Sequence, residues 1–118
     1  MLNTKLISDL MRNPKGTSNQ RLQHLMATQP ELKVCISLVV DCEVSFGLLR
    51  KPSKLLQQAY AHLLQVIEIM PLDLSVSGHY AHIRTYLKRL GTPIGPNDTL
   101  IAAHALALDC TVVTGKET

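Results

Sequence analysis

Residues 91–114 read GTPIGPNDTLIAAHALALDCTVVT, and this stretch decides the fold. GTPIGP is a loop, punctuated by two glycines and two prolines. From residue 98 to 108 the chain is Leu, Ile and Ala on nearly every side. A helix with so little polar surface must be buried all round. Thr111-Val112-Val113-Thr114 then reads as a short β-branched strand. A buried helix feeding such a strand implies a layered α/β domain.

Working upstream, Val76, Tyr80, Ile83, Leu87 and Leu90 recur at spacings 4, 3, 4, 3, the pattern of an amphipathic helix. Gly91 ends it as a C′ residue. Val66 to Leu72 is a β-like run broken by Pro71. Residues 53–66 place Leu56, Ala59, Tyr60, Leu63 and Leu64 on one helical stripe, with Ser53 as N-cap. Residues 39–49 suit a largely apolar helix, after a buried strand at 34–37. Residues 19–28 and 5–12 suit two more helices, separated by Asn13-Pro14 and Gly16, and Leu2 opens the chain in strand-like form. The order β-α-α-β-α-α-β-α-α-β predicts a parallel sheet of about four strands, near 1–3, 34–37, 67–72 and 111–114, with helices on both faces.

The 118 residues suit one domain spanning 1–118. With 46% hydrophobic and 18% charged residues, the chain is a packed globule and not a disordered tail. No apolar run approaches the roughly 18–20 residues of a membrane span. MLNTKLISDL is too polar for a signal peptide, so a cytoplasmic protein with no membrane contact is expected. Cys35, Cys42 and Cys110 are odd in number and form no CxxC, which argues against zinc or a disulfide framework. A net charge of +3 permits a nucleic-acid partner without demanding one. Three Tyr, one Phe and no Trp argue against base-stacking platforms.

In a parallel α/β sheet, ligands sit beyond the carboxyl ends of the strands. Asn3 and Thr4, Glu43, Asp98, Thr114 and Gly115 fall there. Glu43 stands among Val39, Val40, Cys42, Val44 and Phe46, where a buried carboxylate must be paired or bind a cation. Its alternative is an outward orientation, paired with Arg50 or Lys51. Asp98 is either a functional acid or a helix N-cap or N1 acid favoured by the dipole. Asp9, Asp41, Asp73 and Asp109 read as cap, turn or surface acids. The five histidines show no zinc spacing, and His79 and His82 read as a solvated helix face. Two buried carboxylates on one rim, with hydroxyls and amides nearby, suit Mg²⁺ or Mn²⁺. Such an ion would polarise a phosphodiester and activate a water. No GxxxxGK, GxGxxG or GxSxG motif offers other chemistry.

MLNTKLISDLMRNP, CISLVVDCEVSFGLLRK and LGTPIGPNDTLIAAHALALDCTVVT together resemble the PIN-domain ribonucleases of the VapC toxin type, in the FitB-like branch. The resemblance runs nearly end to end and implies a three-layer, Rossmann-like PIN fold. It matches Glu43 to the family Glu of I-S-x(5)-E and Asp98 to the Asp of N-D-x-L-I-A. Thr4 matches the Thr of L-D-T-N, and Thr114 the strand-end Thr. Asn3 replaces the opening Asp of that pattern, Lys5 its Asn, and Gly115 a further Asp or Asn. The family continues through an R-x-F element and another strand, which this chain lacks after Thr118.

The resemblance implies a Mg²⁺-dependent endoribonuclease toxin, with Glu43 and Asp98 as metal ligands and Asn3 and Thr114 beside them. It also implies an RNA substrate, a VapB-like antitoxin and a homodimer built on the surfaces around 20–28 and 53–64. Asn3 and Gly115 would weaken such an enzyme, since Glu43 and Asp98 bring only a formal −2, enough for one divalent ion. The alternatives are a catalytically inactive PIN-like module that dimerises or binds an antitoxin, and a truncated, unstable product.

Overall fold

A computed structural model describes residues 1–114 of the chain. The central strand β1, Cys35–Ser37, is buried at every position. Successive strand side chains point to opposite faces, so both faces of the sheet are covered. β1 pairs in parallel with β2, Glu68–Met70, in the register Cys35–Glu68, Ile36–Ile69, Ser37–Met70. On its other edge the Leu2 N–H donates to the Cys35 carbonyl at 2.9 Å. Leu2 in turn bridges Val113 in parallel. The Asn3 N–H donates to the Val113 carbonyl at 3.1 Å, and the Val113 N–H to the Met1 carbonyl at 2.8 Å. The segments therefore lie in the order 68–70, 35–37, 1–3, 111–113.

The expected strands at 1–3 and 111–114 are thus reduced to one bridge between Leu2 and Val113. The helix that follows Asn3 begins at Thr4, which leaves too little extended chain for a longer ladder. Gly115 lies outside the described residues. The run 67–72 shortens to β2, because Pro71 has no N–H to extend it.

Six helices complete the described residues: α1 Thr4–Arg12, α2 Thr17–Thr28, α3 Leu38–Arg50, α4 Lys54–Leu63, α5 Ser75–Arg89 and α6 Pro96–Ala107. Each falls where the apolar periodicity places it. The Ser53 hydroxyl caps α4 by accepting the Leu56 N–H at 3.2 Å. The helix stops at Leu63, short of 66, and the chain turns to bury Ile67. Gly91 closes α5 at φ +71, with its N–H on the Lys88 carbonyl and the Thr92 N–H on the Leu87 carbonyl. This pair of hydrogen bonds is a Schellman stop. Pro96 at the first turn of α6 supplies a preset φ where no N–H is needed.

Ile7, Ile36 and Val40 are fully enclosed, and Leu2, Leu10, Tyr60, Ile67 and Ile101 pack with them in one core. α6 buries Ile101, Ala103, His104 and Ala105 but exposes Leu106, so it is not buried on every side. The three cysteines are free thiols, and burial pushes the Cys35 thiol pKa up. No helix among the described residues is long and apolar enough to cross a membrane.

Two substitutions check this architecture by urea unfolding. Ile36→Ala should lose about 2–5 kcal/mol, through lost transfer energy and a cavity that two packed faces cannot close. Gly91→Ala should lose about 1–2 kcal/mol, because a Cβ at positive φ meets the following carbonyl.

Candidate active site

Asn3 starts the site. Its backbone is still extended, at φ −86° and ψ 174°, and its side-chain Oδ1 accepts the Leu6 N–H at 3.0 Å. It is therefore the N-cap of α1. Thr4 follows at the first helical position, and its hydroxyl donates to Glu43 Oε1 at 2.5 Å. Glu43 stands on α3, whose N-cap is Ser37, accepting the Val39 N–H at 3.1 Å. The second carboxylate oxygen of Glu43 accepts from Asn97 Nδ2 at 3.2 Å. One carboxylate thus joins the starts of α1 and α6. Hydrogen bonds to a charged acceptor are about twice as strong as neutral ones.

Asp98, next to Asn97, occupies the third position of α6, after the Gly95 cap and Pro96. It is neither the N-cap nor N1. It is exposed, with Oδ2 lying 4.0 Å from where a Cβ on Gly95 would sit. Glu43 is half-buried. The expectation of two buried carboxylates is therefore corrected. The cause is local: Glu43 opens toward the rim between two helix starts, and Asp98 lies in a first turn that begins in an exposed loop. Glu43 is bonded to Thr4 and Asn97, and among the described residues no ion pair to Arg50 or Lys51 forms. The Arg50 guanidinium instead lies over the Phe46 ring, 5.5 Å from its centre.

Lys5 is exposed. Thr114 is exposed one residue beyond Val113, the backbone partner of Asn3. It lines a groove of about 530 Å³ with Leu2, Leu6, Leu22 and Val113, away from Glu43's recorded partners. Gly115 is not described. Among the described residues, no group of three or more His, Cys, Asp or Glu is arranged to hold a metal. The donors gathered here are all oxygens or amides, which is a hard-cation set and excludes a soft metal.

Two features went unread in the sequence. Asn97 is the partner of Glu43; its signal was the Gly-Pro-Asn-Asp run that opens α6. His104 is 1% exposed and bonded through both ring nitrogens, to Ser37 Oγ at 2.7 Å and the Pro71 carbonyl at 3.0 Å. It is the one ionisable ring in an otherwise apolar stretch, which marks the position but not its partners. Of the acids read as ordinary, Asp73 caps the turn before α5 by accepting the Ser75 N–H and hydroxyl, which hold its carboxyl below the usual range. Asp41 does more, accepting the Tyr60 hydroxyl at 2.8 Å and so tying α3 to α4. Burial first, and then this bond, push the Tyr60 phenol pKa up.

The chain is a small α/β domain with acids and amides at the carboxyl rim of a parallel sheet, where such folds bind their ligands. The PIN domain family profile matches residues 1–116, and the chain belongs to the PIN-domain family. It is 34% identical to Ribonuclease VapC2 of Rickettsia felis over 84 residues, 70% of this chain. The match spans 63% of that curated relative's length. The VapBC2 structure from Rickettsia felis, bound to a DNA fragment from their promoter, superposes at a TM-score of 0.88 with 29% identity, covering 98% of this chain and 86% of that one. FitAcB from Neisseria gonorrhoeae superposes at a TM-score of 0.68 with 26% identity, covering 94% and 83% respectively. The relatives thus include VapC ribonucleases and a FitAcB complex, in line with the VapC type and the FitB-like branch.

Asn3 tests the cap directly. Asn3→Ala should cost about 1 kcal/mol in urea unfolding, the usual loss for an N-cap oxygen. Asn3→Asp should keep the cap and leave the unfolding midpoint nearly unchanged.

Proposed function

We propose that residues 1–118 form one PIN-type domain acting as a Mg²⁺- or Mn²⁺-dependent endoribonuclease, the toxin of a toxin–antitoxin pair. The carrying observation is the Glu43 carboxylate, held by Thr4 and by Asn97, the residue that precedes Asp98 in the chain. Three separate segments bring polar groups to one rim, an arrangement that packing alone does not require. Named relatives that are ribonucleases or endonucleases support RNA as the substrate. Solved VapBC complexes among the structural neighbours support an antitoxin partner. A homodimer and a cytoplasmic location belong to the same reading, and the three unpaired thiols suit a reducing compartment.

Glu43 and Asp98 would hold the ion, with Asn3 at the same rim and Thr114 set apart in the neighbouring groove. When bound, the ion supplies Lewis-acid polarisation of the phosphodiester and lowers the pKa of a water. The chain's own residues do the rest. Thr4 and Asn97 fix the Glu43 carboxylate, so little rotamer entropy remains to be lost on binding. Exposed Asp98 contributes the second charge without a large desolvation cost. Asn3 spends Oδ1 on capping α1 and brings an amide dipole where an acid would bring a charge. The formal −2 of Glu43 and Asp98 matches one divalent ion.

A second reading, a PIN-like module that dimerises or binds an antitoxin without cutting RNA, is favoured by two observations. No group of three acids or histidines assembles among the described residues, and the opening position holds Asn3.

The two readings separate in one assay, with total RNA incubated with Mg²⁺ or Mn²⁺. On the enzyme reading, the wild type cleaves, Asp98→Asn abolishes cleavage, and Asn3→Asp raises it about 10-fold or more, the scale of losing one partner of a metal site. Silence from both the wild type and Asn3→Asp would select the binding module. Cleavage that survives Asp98→Asn or needs no divalent ion would overturn the mechanism.

A further inference from the structure

Helices α3 and α6 are in contact, and two polar rungs join them. At one end Asn97 Nδ2 donates to Glu43 Oε2 at 3.2 Å. At the other, His104 Nδ1 meets Ser37 Oγ at 2.7 Å. From Ser37 to Glu43 is six residues, and from Asn97 to His104 is seven. At 1.5 Å rise per residue these spans are about 9 and about 10.5 Å. The rungs are nearly equally spaced on both helices, which run in opposite directions between them.

The inner rung is completely specified. Pro71 offers only a carbonyl, so Nε2 of His104 must carry the proton that bonds it at 3.0 Å. In the neutral ring Nδ1 then accepts from the Ser37 hydroxyl. Ser37 Oγ at the same time accepts the Val39 N–H at 3.1 Å, as cap of α3. Ser37 is 0% exposed and His104 1%, and no buried side-chain polar atom among the described residues lacks a partner. The chain of donors runs Val39 to Ser37 to His104, and from His104 to Pro71. It locks the origin of α3, the last turn of α6 and the residue after β2 to one another.

We propose that His104 is a positioning residue for the rim: its bond to Ser37 sets how far α6 is advanced along α3, and so places Asn97 and Asp98 opposite Glu43. This rests on the reading of Glu43 and Asp98 as the ion-holding pair. An apolar residue of similar volume would fill the same space but would supply no directional bond between the two elements. Packing contacts between smooth helix faces fix separation better than register, whereas a directional bond weakens steeply with misalignment.

Two variants divide the two nitrogens. In His104→Asn the amide oxygen can reproduce the Nδ1 acceptor toward Ser37, and the Pro71 contact is lost. In His104→Gln the amide N–H can reproduce the Nε2 donor toward Pro71, and the Ser37 contact is lost. Ile67→Val, in the same core but on neither helix, serves as a control for lost packing. The readouts are the Asn97 side-chain amide signals in NMR spectra of the metal-free protein and the Mn²⁺ affinity by calorimetry. His104→Gln should move the Asn97 amide signals to free-amide positions and weaken Mn²⁺ binding about 10-fold, the scale seen when a metal site loses a supporting bond. His104→Asn and Ile67→Val should leave both near the wild-type values. If His104→Gln keeps the Asn97 signals in place, or if Ile67→Val moves them equally, His104 is a core residue only and the proposal falls. If His104→Gln does not fold, loss of the Asn97 shift in His104→Asn alone overturns the proposal in the same way. A wild type that binds no Mn²⁺ sinks the ribonuclease reading, and the Asn97 signals still decide the role of His104.

Discussion

Strand β1 is three residues long and is buried on both faces, and that constraint organises the rest. A strand covered on both sides cannot spare a polar group, so Ser37 at its end must be satisfied within the protein. It is satisfied twice, by the Val39 N–H and by His104. The first bond starts α3 and the second attaches α6. The buried strand thus ends in a hydroxyl shared by the start of α3 and by α6.

Glu43 shows the same economy one layer out. Its half-buried position would be costly for an isolated carboxylate. Thr4 and Asn97 offset that cost, and neither carries a charge. The geometry of the acid is therefore fixed without a neighbouring charge. Asp98 takes the opposite course, staying exposed at the first turn of α6, where the helix dipole favours an anion.

Much of this was legible in the sequence. The six helices follow apolar periodicity, and the stops at Gly91 and Pro71 follow from φ preference and a missing N–H. Asn3, Thr4, Glu43 and Asp98 could be assigned to one end of the sheet from chain order. The length of the outer strands could not, because the capping of α1 by Asn3 competes with strand extension and only the assembled sheet decides it. Nor could burial at the rim be read. Flanking valines on one helix suggested a buried Glu43, but periodicity does not show where a neighbouring layer stops. His104 was the reverse case: a polar ring inside an apolar helix has no periodic signature, and its partners lie 67 and 33 residues away along the chain.

The Leu2–Val113 bridge joins the two extremes of the described chain. During translation, residues 1–3 can dock on β1 long before the other edge partner exists. At about 5–20 residues per second, roughly 5–20 s pass between synthesis of Leu2 and of Val113. Throughout that interval Asn3 lacks the backbone acceptor that its N–H finds in the finished fold, and α6 is complete only near its end. The rim therefore cannot assemble until α6 and the segment around Val113 have been made, well after α1, β1 and α3.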